Sequence, residues 1–206
     1  MNPQNNANVG VGGEKRTALL ASYTKDDELS HLGEFLVEND WELMGSAGTA
    51  KYLKEHNIPC RDVAEIVGAP ILGHRVVTLS RELHAGLLST DADAAELEKL
   101  GVPRIDLVYV TLYPLEKTIA DPKSTPEDVI EKTDIGGPTL LRAAAKGRRL
   151  VISDPLQIPL VESFIQDGEL PEERERLTTH LAAAAERRVA EYVDASARYW
   201  ENRQST

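Results

Sequence analysis

The stretch TALLASYTKDDELSHLGEFLVENDWELMGSAGTAKYLKEH, residues 17–56, changes its hydrophobic period several times, and those changes decide the fold. The apolar run 17–22 reads as a buried strand. Leu29, Leu32, Phe35 and Leu36 then recur at helical spacing and predict a helix over 28–37. Residues 41–44 give a second strand. The small-residue loop Gly45-Ser46-Ala47-Gly48-Thr49 follows and opens another helix reaching about His56. Strand, helix, strand and helix in immediate succession predict a parallel sheet flanked by helices.

The pattern extends in the C-terminal direction. Residues 105–112 form a continuous Val/Ile/Leu/Tyr run expected of a strand covered on both faces, and 150–153 a shorter one. The segments 80–88, 91–100, 125–132 and 138–146 read as helices. Residues 155–172 are polar and proline-spaced and read as a long connection. A last helix is expected over 171–202, where Pro171, Glu172 and Glu173 suit a positive helix start. Leu177, Leu181, Ala185, Val189, Tyr192, Ser196 and Tyr199 mark one face of it, which needs the sheet's flank or a second subunit as partner.

With 206 residues, 41% of them hydrophobic, the chain is long enough for one substantial core. No repeat or low-complexity block divides it, so 16–206 is expected to be one domain. Residues 1–15, almost without apolar side chains, are expected to be a disordered tail. Gly10-Val11-Gly12-Gly13 precedes a strand, whereas a dinucleotide loop must follow one. A formal net charge of -11 argues against nucleic acid and anionic membrane surfaces as partners. An anionic small ligand therefore needs a local set of donors. The single cysteine, Cys60, excludes an intramolecular disulfide framework and a multi-thiolate zinc site, and points to the cytoplasm. Residues 1–13 have neither a basic start nor an apolar stretch and no apolar run approaches the roughly 20 residues of a membrane span, so a soluble, unexported protein is expected.

Four segments carry candidate chemistry. In Asp134-Ile135-Gly136-Gly137-Pro138 a paired-glycine turn leads into a helix. It either leaves backbone N–H groups facing a ligand, with an acid beside them, or is a plain helix entry. Ser46-Ala47-Gly48-Thr49 places hydroxyls and amides at a helix start just after a strand, as a phosphate cradle or as ordinary capping. Gly73-His74-Arg75-Val76-Val77-Thr78 offers a guanidinium for an oxyanion, or a surface arginine. Tyr113 ends the buried strand, where its phenol reaches either a ligand or water. The five histidines show no metal-ligand spacing.

These segments, in this order, resemble the N-terminal domain of the bifunctional formyltransferase/IMP cyclohydrolase family of purine synthesis. Ser46-Ala47-Gly48-Thr49-Ala50-Lys51 is similar to its phosphate loop. Gly73-His74-Arg75-Val76-Val77-Thr78-Leu79 with His84-Ala85-Gly86-Leu87-Leu88, the run 106–114 and the nearly continuous block 134–146 are similar to three more of its segments. The similarity runs from about Thr17 to Trp200, without the family's transformylase domain. The resemblance implies a methylglyoxal-synthase-like, three-layer α/β/α fold with a mostly parallel sheet. The Gly-Asp-Pro block of methylglyoxal synthase has no match, which turns the reading away from that lyase.

The implied reaction is dehydrating ring closure of FAICAR to IMP, or its reverse, with neither cofactor nor metal. By the same resemblance Asp134 handles the proton and orients the substrate. Lys146 stabilises or protonates the departing oxygen, Tyr113 assists, and the amides of Ile135, Gly136 and Gly137 hold the oxyanion. Lys25, Ser46, Gly48, Thr49, Arg75 and Thr78 hold phosphate and ribose. An unbroken helix would place Lys146 about 12 Å along the axis from Pro138, so either the segment bends or the side chain spans the gap. The family is dimeric, which makes a homodimer the expectation. A purine or imidazole ribonucleotide is the expected ligand and a separate transformylase a possible partner.

The chain departs from the family at two places. Val77 stands where the family has a lysine, with Ser80-Arg81 in place of a His-Pro pair. Ala21-Ser22-Tyr23-Thr24-Lys25-Asp26 replaces the family's Ser-x-Ser-Asp-Lys-Thr loop, keeping the lysine and bringing in a tyrosine. The loss at Val77 admits a slower enzyme, a different substrate, or a regulatory domain that binds nucleotide without turnover.

Overall fold

The computed structural model describes residues 15–73 and 75–204. The expected tail falls outside them except for Lys15, as do the glycines at 10–13 and His74. The chain runs β1 (Thr17–Ser22), α1 (Asp27–Glu38), β2 (Glu42–Gly45), α2 (Ala47–Glu55), β3 (Arg61–Asp62), α3 (Ala64–Val67), α4 (Arg81–Leu88) and α5 (Ala94–Leu100). It continues through β4 (Leu107–Thr111), α6 (Leu115–Ala120), α7 (Pro126–Glu131), α8 (Gly136–Lys146), β5 (Leu150–Ile152), α9 (Ile158–Gln166) and α10 (Pro171–Gln204).

The five strands form one sheet in the order β3-β2-β1-β4-β5, and every pairing is parallel. Leu19 of the central strand β1 faces Met44 on one side and Val108 on the other, and all three are buried. Such strands can be apolar on both faces only because helices cover both. Crossovers in parallel sheets are right-handed, so helices on either side of the reversal at β1 fall on opposite faces. Helices α1 and α2 pack against β1 and β2, while α8 and α10 pack against β4 and β5. The core is continuous through these layers.

Leu181, Ala185, Val189 and Tyr192 of α10 are buried, with Leu177 and Tyr199 packed at their ends. Of the two partners foreseen for this stripe, the sheet's own flank supplies it, through β5, α8 and α6. The connection expected over 155–172 is instead largely helical. Pro155 and Pro159 stand at helix starts, where a missing N–H costs nothing, and Ile158, Val161, Phe164 and Ile165 of α9 are buried. The strand β3 and helices α3 and α6 lie where the sequence suggested no element. Helix α8 begins two residues before Pro138, at Gly136. None of the described helices is long and apolar enough to cross a membrane.

Candidate active site

Because all strands point the same way, the segments leaving β1, β2 and β4 emerge at one edge of the sheet. The strand order reverses between β1 and β4. Neighbouring connections diverge at such a reversal and leave a crevice, where open parallel sheets bind ligands. Ser22 and Thr111 form its floor, their hydroxyl oxygens 2.7 Å apart. Thr111 Oγ1 also accepts from the backbone N–H of Tyr23 at 2.7 Å. On the other side, Thr49 Oγ1 accepts from the Ser22 N–H at 3.1 Å and from the Ser46 hydroxyl at 3.0 Å. A net of hydroxyls thus crosses three strand ends.

Ser46 precedes α2, yet its side chain caps none of the helix amides, so capping does not account for it. Lys25 lies above this net. Its Nζ donates to the carbonyls of Ser22 and Tyr23, and its Cε lies 3.7 Å from where a Gly48 Cβ would stand. Burial lowers its pKa, while Asp26 acts against that shift. A cation beside uncapped amides of a helix start is chemistry suited to a phosphate.

The turn 132–137 forms the facing wall. Asp134 Oδ1 accepts from the Gly137 N–H at 3.0 Å, and the Gly136 and Tyr113 amides also donate to this carboxylate. Burial raises its pKa in spite of those three donors. The paired glycines are required by close approach: a Gly137 Cβ would lie 2.5 Å from Asp134 Oδ2 and 2.7 Å from Leu112 Cδ2. A Gly136 Cβ would lie 2.5 Å from Thr78 Oγ1, which places the 75–78 strap against the turn. Tyr113 rests 5.1 Å from the Tyr23 ring, centroid to centroid. Its phenol is raised by burial first and then by the charge of Asp134.

The residues singled out from the sequence divide into groups. Lys25, Ser46, Gly48 and Thr49 lie together at the β1 and β2 ends, and Asp134, Gly136, Gly137, Tyr113 and Thr78 lie together at the turn. Arg75 is exposed beside the antiparallel Ile71–Val76 bridge, with no ion-pair partner among the described residues. Ile135 is 58% exposed. Helix α8 is unbroken, and Lys146 is its last residue, exposed at the end away from the turn. Asp134 and Lys146 both line a groove of about 830 Å³ between α8 and α10, together with apolar Ile135, Pro138, Val189 and Val193. The Gly136 and Gly137 amides, expected to face an oxyanion, are directed instead at the Asp134 carboxylate. Val77 packs against the core.

Sequence reasoning did not single out Ser22, Thr111, Lys132 or Tyr192. Tyr192, 2% exposed, donates its hydroxyl to the Lys132 carbonyl at 2.9 Å and accepts from the Asp134 N–H at 2.7 Å. One buried phenol of α10 thereby ties the turn down at two points in its first half. No group of three or more His, Cys, Asp or Glu able to hold a metal occurs among the described residues.

A parallel sheet reversing at β1 and β4, with hydroxyls, a lysine and a half-buried carboxylate at that edge, defines an α/β domain whose rim carries chemistry suited to a small anion. The match to known proteins places it more closely: residues 28–139 fit the model of the MGS-like domain, and the chain belongs to that family. It is 37% identical over 195 residues to the bifunctional purine biosynthesis protein PurH of Prochlorococcus marinus (strain MIT 9211), covering 92% of this chain and 37% of that protein. It is 40% identical over 185 residues to PurH of Bacillus cytotoxicus, covering 86% and 35%. The chain thus spans little more than a third of the length of these curated relatives. A solved structure described as the crystal structure of ForH superposes with a TM-score of 0.76 at 31% identity, covering 91% of this chain and all of that one.

Proposed function

We propose that this chain is an IMP cyclohydrolase-type enzyme. It closes the purine ring of FAICAR, or of a related imidazole-carboxamide ribonucleotide, with loss of water, or runs the reverse opening. What supports the reading is a phosphate-suited cradle at the β1 and β2 ends and a partly desolvated carboxylate beyond β4, linked through the Tyr23–Tyr113 ring contact and the Tyr113 amide. The kinship with PurH supports it.

The cradle of Lys25, Ser46, Gly48 and Thr49 holds the 5′-phosphate, and Thr78 and Arg75 close over the ribose. The heterocycle then reaches the turn. Asp134, whose basicity burial enhances, accepts a proton from the carboxamide nitrogen as that nitrogen attacks the formyl carbon. Tyr113 stays protonated at neutral pH and donates to the reacting oxygen. Holding both reacting groups of one substrate in contact supplies much of the rate, because ring closure is limited by the folded-over conformation.

Mixing the chain with FAICAR and with IMP, and following purine absorbance, tests this: formation or loss of the purine chromophore is expected. No change in either direction, together with tight IMP binding by calorimetry and co-purification of a transformylase, would favour a nucleotide-binding partner domain. The observation on that side is Lys146, held at the far end of α8.

A further inference from the structure

Ring closure places negative charge on the formyl oxygen, and of the donors expected for it the two glycine amides are engaged elsewhere, Lys146 stands at the far end of its helix and the family's lysine is absent. Lys146 ends an unbroken α8, the Gly136 and Gly137 amides serve the Asp134 carboxylate, and position 77 is a valine packed on the core. Lys25 belongs to the phosphate cradle at the β1 and β2 ends. One more ammonium stands at the turn. Lys132 Nζ lies 5.7 Å from the Tyr23 ring centroid and 5.7 Å from that of Tyr113. No carboxylate among the described residues is within ion-pair distance of it. Its backbone is held by the Tyr192 hydroxyl that also holds Asp134, so cation and carboxylate share one anchor.

We infer that Lys132 is a catalytic residue of this site, the cation that stabilises and protonates the formyl oxygen; the inference rests on the cyclohydrolase reading above. Two faces of aromatic electron density hold the ammonium without neutralising it, leaving its N–H donors for an anion. In the step, the carboxamide nitrogen forms a bond to the formyl carbon and gives its proton to Asp134. The formyl oxygen takes a proton from Lys132 and becomes a hydroxyl. That hydroxyl then leaves as water with the Asp134 proton, while the formamido N–H returns a proton to Lys132. Two protons leave nitrogen, both depart with oxygen, and the two residues end as they began.

The test compares Lys132→Ala and Lys132→Gln with Lys123→Ala, an exposed lysine of the connection between α6 and α7, each checked for folding by circular dichroism. Losing a donor to a developing oxyanion costs about 100-fold or more in kcat. The expected result is a fall in kcat of about 100-fold with KM changed less than about threefold. Added ethylammonium should restore turnover to Lys132→Ala in proportion to its concentration, an outcome that a purely structural role would not give. Full kcat in a folded Lys132 variant, or loss without amine rescue, overturns the inference while the cyclohydrolase reading stands. An unmodified chain inactive on both FAICAR and IMP overturns both.

Discussion

Replacing Tyr192 by phenylalanine removes one oxygen and preserves the ring that fills the space between α10 and the turn. Two hydrogen bonds disappear, 2.9 Å to the Lys132 carbonyl and 2.7 Å from the Asp134 N–H. A backbone group left without a partner costs about 1–3 kcal/mol, and the turn lies at the rim of a crevice where water relieves part of that. About 1 kcal/mol for each group gives a loss of about 2 kcal/mol. In a domain of this size that lowers Tm by about 4–8 °C. Urea denaturation should give the same difference with an unchanged slope, because no additional surface is exposed. The two residues freed are the proposed base and the proposed cation, and displacement of reacting groups by about 1 Å costs on the order of 100-fold in rate. Turnover should therefore fall far more than stability does, with the acid limb of the pH profile displaced because Asp134 is no longer fixed. A variant within about 0.5 kcal/mol of the parent, with undiminished kcat, would refute the account of this clamp.

Other perturbations follow from the same geometry. Gly136→Ala should cost about 1–3 kcal/mol and weaken nucleotide binding, because its methyl group would lie 2.5 Å from Thr78 Oγ1; adding Thr78→Ala should recover the stability in thermal melts but not the binding. Burial raises the Asp134 pKa, so its favourable contribution is complete below the ordinary aspartate value near ~3.9 and is lost as pH rises through the raised one. Asp134→Asn should accordingly be at least as stable as the parent at neutral pH while losing turnover, and the parent's kcat should rise with pH through a value raised above that of an ordinary aspartate. Cys60, whose thiol burial pushes up to about 12, should resist a thiol reagent in the folded protein and react at once in urea.

Much of the fold was legible because each long strand is an uninterrupted apolar run and each connection is punctuated by small or capping residues. The pieces that escaped lack such signals. Strand β3 is two residues long, α3 is four, and α9 hides its buried stripe between prolines that read as breakers. The site divides similarly. Ser46, Gly48 and Thr49 stand in sequence just after a strand, where hydrophobic period alone finds them. Contact between Ser22 and Thr111 depends on β1 lying beside β4, which strand order decides and periodicity does not. The Tyr192 clamp joins residues some sixty positions apart through a helix whose stripe looked purely apolar. The resemblance to a family carried Lys146 into the site, but the length of α8 places it at the groove's far end.

The proposed function requires the loops after β1, β2 and β4 and the turn at Asp134 to hold one ribonucleotide. A crystal structure of the chain with IMP tests it most directly. The phosphate is expected against Lys25 Nζ and the amides and hydroxyls of 46–49, with the base between Tyr113 and the Asp134 carboxylate. Nucleotide seated in the α8–α10 groove, with the crevice between β1 and β4 occupied by water, would contradict it.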